Sequence, residues 1–174
     1  MLEEEIVKAG AFKLGDFTLA SGRKSDYYVD LRAVTTRPDL LSKVAKAMKP
    51  HIGECDKIAG VELGAVPIAV ALSLETGIPF LMVRKQKKDH GAGKLVEGEL
   101  KAGDRVVFVE DTVTTAGSLI KAIAAVNEMG GVVKRAIVIV DREEGARENL
   151  CEINVEMVSI ASIAKLRECV RNGA

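Results

Sequence analysis

The amino-acid sequence predicts an α/β fold with a central, mainly parallel β-sheet flanked by helices. Hydrophobic residues make up 48% of the 174 residues and aromatic residues only 3%. The core therefore consists of Val, Ile, Leu and Ala, which are typical of buried parallel strands and of the helices that cover them. From residue 57 onward, short apolar strands alternate with helices, as in right-handed strand–helix–strand units. We expect residues 1–174 to form one domain, because this length suffices for one core.

The N-terminal part of the chain predicts a small arm followed by a helix. The first helix begins with three glutamates near the positive end of its dipole. Two short strands then flank a polar, glycine-containing turn, and a proline opens the next helix. The expected elements are helix 2–10, strands 17–19 and 27–31, and helix 38–50. The two strands belong to an arm or hood over residues 1–36.

The remainder of the chain predicts the main sheet and its covering helices. In open sheets of this kind, ligands bind beyond the carboxyl ends of the strands. The expected elements, in chain order, are strand 58–61, helix 66–74, strand 80–83, a long polar loop, strand 106–109, helix 116–129, strand 133–140, a charged turn, strand 155–160 and helix 163–170.

Composition excludes several classes of function. The chain carries 25 basic and 25 acidic residues, so no overall field favours nucleic acid or an anionic membrane. Its three cysteines are far apart and lack the spacing of a zinc site or a disulfide framework. No basic leader precedes an apolar stretch, and no run approaches the roughly 20 apolar residues of a membrane span. We therefore expect a cytoplasmic protein that binds neither nucleic acid nor membrane.

The segment 106–118 is the most informative part of the sequence. An apolar strand ends at Glu110 and Asp111 and is followed by a turn of small and hydroxyl residues that opens a helix. Such a turn suits a phosphate, but the segment matches neither the Walker loop nor the dinucleotide fingerprint. The two acids would repel a phosphate beside them, so the ligand should present hydroxyl groups or a metal ion there. Helix capping alone would explain the threonines but not the acids. A ribose 5-phosphate has the required layout.

This segment resembles the PRPP-binding motif of type I phosphoribosyltransferases, where PRPP is 5-phosphoribosyl 1-diphosphate. The resemblance implies the type I phosphoribosyltransferase fold. It also implies that Glu110 and Asp111 contact the ribose hydroxyls and that the turn holds the 5-phosphate. The turn residues are Thr112, Val113, Thr114, Thr115, Ala116, Gly117 and Ser118.

Three further segments resemble orotate phosphoribosyltransferases. They are the arm 17–28, the basic residues of the loop 84–97, and the turn 140–145. On composition alone the loop is equally compatible with a mobile lid and a solvated hairpin tip. The resemblance identifies it as a lid whose basic residues bind the diphosphate of PRPP. These are Arg84, Lys85, Lys88 and His90.

The same resemblance assigns Arg142 and Thr114 to orotate. A guanidinium suits a carboxylate better than an ammonium does, because it donates two parallel hydrogen bonds. The alternative is that Arg142 pairs with Asp141 or Glu144 at the surface. Tyr27 and Tyr28 either stack on the base or belong to the core of their strand. Bacterial relatives carry lysines at the position of Ala20 and near Gly64, and both are absent here.

The reaction implied is attack of orotate N1 on C1′ of PRPP with inversion, giving orotidine 5′-phosphate and diphosphate. Acids at the ribose and bases at the diphosphate would both stabilise the transition state, with Asp111 and Lys88 as the catalytic pair. The resemblance also implies Mg²⁺, held mainly through the substrate. Fourteen residues of lid span on the order of 40 Å, so we expect a homodimer with lids shared between subunits. The alternatives are transfer to a purine or uracil, and a non-catalytic PRPP-sensing regulator.

Overall fold

β-sheets form the framework of the fold. The computed structural model describes residues 1–18, 22, 24–86 and 95–173. An antiparallel ribbon and a six-stranded sheet lie in this part of the chain. The ribbon consists of β1 (Phe12–Thr18) and β2 (Lys24–Val29), and the sheet of β3 (Lys57–Val61), β4 (Phe80–Val83), β5 (Val96–Glu97), β6 (Arg105–Val113), β7 (Val132–Asp141) and β8 (Glu156–Ser162). The strand order in the sheet is β5-β4-β3-β6-β7-β8, and all neighbours are parallel except β4 and β5.

Helices cover both faces of the larger sheet. Alternate residues of its central strands point to opposite sides, so Val107 and Val109 of β6 belong to one core cluster and Val106 and Phe108 to another. The helices are α1 (Leu2–Lys8), α2 (Arg32–Thr35), α3 (Pro38–Met48), α4 (Val66–Thr76), α5 (Gly117–Glu128), α6 (Ala146–Glu152) and α7 (Ile163–Arg171). The first cluster includes residues of α1, α3, α4 and α7, and the second includes residues of α5 and α6. The mainly parallel α/β architecture is therefore confirmed.

The predicted arm was wrong in its strand boundaries. β1 begins at Phe12 instead of residue 17, and β2 covers Lys24–Val29 instead of 27–31. Most residues of this ribbon are exposed, so the apolar alternation that reveals a strand is weak. Leu31, which was predicted to end the second strand, belongs to the core cluster and instead precedes α2. The sequence did not predict α2.

The strand that carries the phosphate motif is longer than predicted. β6 continues past Val109 to Val113, because its ladder with β7 extends to the pair Val113 and Asp141. Glu110 and Thr112 therefore lie on a strand and not in a loop. The short helix α6 and the two-residue strand β5 were also missed. Only two residues of α6 are buried, too few to produce a helical period.

The topology creates a crevice at the carboxyl ends of β3 and β6. The chain runs from β3 to β4 on one side, and from β6 to β7 and β8 on the other. Loops that leave neighbouring parallel strands in opposite directions open a binding crevice between them. Gly64, in the turn after β3, faces the Asp111 carboxylate of β6 at this point. No helix in the described ranges is long and apolar enough to cross a bilayer.

Candidate functional site

Two adjacent carboxylates stand in the crevice. The backbone N–H of Asp111 donates to Glu110 Oε1 at 3.2 Å, and the N–H of Thr112 donates to Asp111 Oδ1 at 2.6 Å. A Cβ at Gly64, in the turn after β3, would overlap the Asp111 carboxylate. The Asp111 carboxylate can occupy this position because Gly64 has no side chain. A lysine in place of Gly64 would require the carboxylate to move.

The chemical state of Glu110 follows from its surroundings. Burial of the carboxyl group raises the pKa of Glu110 well above its ordinary value, and the charge of Asp111 and a hydrogen bond to it raise the pKa further. Burial and a neighbouring negative charge both disfavour the ionised form of a carboxyl group. A ligand that brings hydroxyl donors or positive charge relieves this repulsion. The sugar of PRPP and an associated cation have that chemistry.

The turn after β6 forms a cavity of about 350 Å³. Ala116 adopts the left-handed conformation with φ 62° and opens α5, whose N-terminus borders the cavity. Side chains and backbone of one continuous segment surround the space. The lining residues are Glu110, Thr112, Val113, Thr114, Thr115, Ala116, Gly117, Ser118, Leu119 and Lys121.

A contact from α6 anchors the turn. The side-chain amide of Asn149 donates to the carbonyl oxygen of Thr115 at 2.9 Å. This bond joins the turn to a helix that follows the neighbouring strand β7. The sequence suggested no role for Asn149, because its partner lies 34 residues earlier in the chain.

A smaller cleft of about 180 Å³ adjoins the cavity. Arg84 and Lys85, at the end of β4, line this cleft together with Ser118 and Lys121, which also line the larger cavity. Arg84 Nε lies 3.1 Å from Glu97 Oε1. The basic residues that begin the proposed lid are thus next to the hydroxyl-rich turn.

Arg142 lies directly beyond the end of β7. Its backbone N–H donates to the Val113 carbonyl oxygen at 3.0 Å, which holds the residue beside the end of β6. Its Nε donates to the Tyr27 hydroxyl at 3.0 Å and lies 3.1 Å from Glu144 Oε1. The ion pair between Arg142 and Glu144, one of the two surface pairs that the sequence offered as an alternative to orotate binding, is therefore present. Asp141, the other candidate partner, is buried and lies 3.7 Å from an Arg147 nitrogen.

Comparisons with known proteins identify the family. A model of the phosphoribosyl transferase domain matches residues 31–162. The chain is 47% identical over 161 residues to the orotate phosphoribosyltransferase of Methanocaldococcus jannaschii, covering 92% of each protein. The chain belongs to the orotate phosphoribosyltransferase family.

Solved structures of this family have the same fold. The crystal structure of orotate phosphoribosyltransferase from Aeropyrum pernix is 35% identical, covers 100% of both chains and has a TM-score of 0.89. The Mycobacterium tuberculosis orotate phosphoribosyltransferase, crystallised in complex with PRPP, is 31% identical, covers 96% of this chain and 99% of its own, and has a TM-score of 0.80. The type I phosphoribosyltransferase fold implied by the motif is therefore confirmed.

The residues expected from the orotate phosphoribosyltransferase resemblance divide into three groups. Glu110 and Thr112 to Ser118 line one cavity, and Arg84 and Lys85 line the cleft beside it. Asp111 and Arg142 lie at the adjacent ends of β6 and β7. Lys88 and His90, as well as Ala20, lie outside the described residues.

Lys121 is a candidate that the sequence analysis missed. It lies on α5, four residues after Gly117, and lines both the cavity and the cleft. Residues four apart on a helix share a face, so this lysine extends the side of α5 that begins at the turn. A search for cations one helical turn beyond the motif would have found it.

Proposed function

We propose that this chain transfers the 5-phosphoribosyl group of PRPP to N1 of orotate, giving orotidine 5′-phosphate and diphosphate. One observation carries the proposal: Glu110 of β6 lines the same cavity as the hydroxyl-rich turn that opens α5. A sugar phosphate needs an acceptor for its hydroxyls and donors for its phosphate, and this cavity offers both. Membership of the orotate phosphoribosyltransferase family supports orotate as the acceptor.

The turn is proposed to hold the 5-phosphate, and the two acids to hold the ribose. Backbone N–H groups at the start of α5 favour an anion, helped by the helix dipole. Glu110 and Asp111 accept hydrogen bonds from the ribose hydroxyls. As the bond to diphosphate breaks, the ribose becomes cation-like, so carboxylates at this place stabilise the transition state more than the ground state. Asp111 is proposed as a catalytic residue for this reason.

Basic residues are proposed to bind the diphosphate. Arg84 and Lys85 line the cleft beside the turn, and the contact between Arg84 and Glu97 orients the guanidinium. Lys88 and His90 would complete the set from the lid. An ammonium group that contacts the leaving diphosphate only when the lid closes stabilises mainly the transition state. For this reason Lys88 is the second proposed catalytic residue.

Orotate is proposed to bind between Arg142 and Thr114. The carboxylate of orotate pairs with the Arg142 guanidinium, and Thr114 contributes a hydroxyl from the cavity. The backbone bond between Arg142 and Val113 supports this arrangement, because it holds Arg142 beside the residue that precedes Thr114.

Mg²⁺ is proposed to arrive with PRPP. Within the described residues no group of three or more His, Cys, Asp or Glu side chains is arranged to hold a metal ion. Two adjacent carboxylates fit an ion that binds mostly through substrate phosphates and water, so Glu110 and Asp111 are the residues that would contact it. The ion supplies positive charge that offsets the diphosphate.

The assembly and setting of the protein are further proposals. A homodimer with shared lids follows from the reach of the loop that begins at Arg84. The arm and the main sheet share one core cluster, in which Phe12 and Tyr27 join residues of β6 and β7, and this supports one domain over residues 1–174. A cytoplasmic location stays a prediction.

An absorbance assay tests the proposed function. Purified protein with Mg²⁺ and PRPP should consume orotate, and a reaction without PRPP is the control. Turnover of a purine or uracil in place of orotate would assign a different acceptor. Inertness toward every base, with PRPP binding intact, would indicate a PRPP sensor.

A further inference from the structure

Two guanidinium groups lie over the ring of Tyr27. The central carbon of Arg142 is 4.9 Å from the ring centroid, and that of Arg167 is 5.0 Å from it. Arg142 follows β7 and Arg167 lies on α7, so two separate elements meet on a residue of the arm. Tyr27 is 9% exposed and its ring also lies 5.8 Å from that of Phe12. Attraction between a cation and an aromatic face strengthens as water is excluded.

The hydroxyl of Tyr27 fixes one edge of the Arg142 guanidinium. It accepts the Nε hydrogen bond of Arg142 at 3.0 Å and donates to Glu144 Oε1 at 3.4 Å. Glu144 in turn lies 3.1 Å from the same Nε. A guanidinium is planar, so a fixed Nε together with a central carbon held over the Tyr27 ring restricts the direction of the edge formed by Nη1 and Nη2. That edge has the geometry to bind a carboxylate with two parallel bonds.

A second contact holds Tyr27 in its place. Arg167 binds Asp26, the residue before Tyr27, through two bonds of 2.8 and 2.7 Å. The pair ties α7 to β2 and keeps the Arg167 guanidinium on the ring of Tyr27. Tyr27 is therefore constrained on its ring and at its hydroxyl.

We propose that Tyr27 is a positioning residue for the acceptor substrate, acting through Arg142. Its ring contacts Arg142, Arg167 and Phe12 of the same chain. Its hydroxyl orients the guanidinium that recognises the carboxylate of the pyrimidine, and the pair of Asp26 and Arg167 supports it. The inference rests on the proposed function, because it concerns the affinity for orotate.

Steady-state kinetics of Tyr27→Phe test this role. The variant keeps the ring and its cation contacts but lacks the hydroxyl, so the KM for orotate should rise by roughly tenfold. The KM for PRPP should stay within about twofold, because the PRPP cavity does not include Tyr27. In an Arg142→Ala background the same substitution should change the KM for orotate by less than about twofold. Tyr28→Phe is the matched control, because the Tyr28 ring contacts Phe17 instead.

The outcomes separate this inference from the proposed function. Absence of orotate turnover by the unmodified protein would count against the proposed function itself. With that turnover present, an unchanged KM for orotate in Tyr27→Phe would overturn the positioning role. An equal rise in both KM values with a lower Tm would indicate a structural role only and would also overturn it.

A second variant keeps the test decisive if Tyr27→Phe does not fold. The Asp26 side chain is 68% exposed, so Asp26→Asn should fold while weakening the contact with Arg167. We expect this variant to raise the KM for orotate about threefold and to leave the KM for PRPP unchanged. No change in the KM for orotate would contradict the proposed support of Tyr27.

Discussion

Replacing Gly64 by alanine tests whether the position of the Asp111 carboxylate determines turnover. Gly64 does not have a positive φ, so alanine adds no backbone strain there. Its Cβ would overlap the Asp111 carboxylate, which must retreat by roughly 1 Å to reach ordinary contact. The hydrogen bond from Thr112 N–H to Asp111 at 2.6 Å must stretch in consequence.

The size of the effect follows from this displacement. A misplacement of about 1 Å costs on the order of a hundredfold in rate when geometry matters for the transition state. Overpacking costs about 1–3 kcal/mol of stability, and each kcal/mol lowers the Tm of a chain of this length by roughly 2–4 °C. We therefore expect kcat to fall by about a hundredfold at a temperature where the variant is fully folded.

The assay compares kcat, the KM for PRPP and Tm across Gly64→Ala and a control in the same turn. Leu63→Ala is that control, since Leu63 is 81% exposed. Gly64→Ala should add little to the loss caused by Asp111→Ala, because both act on one group. A kcat within threefold of the unmodified value, at full folding, would refute the role given to the Asp111 position.

Two further predictions concern the acid pair and the missed lysine. Because the pKa of Glu110 is raised in the folded protein, the ionised carboxylate destabilises the native state. Glu110→Gln should therefore raise Tm at pH values above the raised pKa and leave Tm unchanged below the ordinary glutamate pKa. The activity of this variant should fall. Calorimetry across pH checks this, and a Tm gain of equal size at every pH would contradict the assignment. Lys121→Ala should weaken PRPP binding by about tenfold, more at low salt, in titration calorimetry. Lys46→Ala, an exposed lysine of α3, is the control, and equal effects of both variants would exclude a specific contact.

The sequence was sufficient for the central sheet because burial on both faces produces continuous apolar runs. Strand β4 was predicted over its full length, and β3 and β7 to within one residue at either end. The arm was predicted poorly, since four residues in a row within β1 are exposed and give no alternation. Helix α6 was missed for a similar reason, having only Ala146 and Leu150 buried.

The candidate site was predictable where it is continuous in sequence. Residues 110–118 form one continuous segment, so a single sequence motif predicts all of them as site residues. Contacts between distant elements left no local signal: Tyr27 and Arg142 are 115 residues apart, and Asn149 reaches back to Thr115. The burial that raises the pKa of Glu110 is likewise a property of the folded crevice.

Phosphorus NMR of the reaction mixture tests the central claim most directly. With Mg²⁺, PRPP and orotate, we expect orotidine 5′-phosphate and diphosphate to appear in equal amounts as PRPP disappears. Release of diphosphate with ribose 5-phosphate, without a nucleotide, would contradict transfer to orotate. Unchanged PRPP in the presence of a folded protein would contradict the reaction altogether.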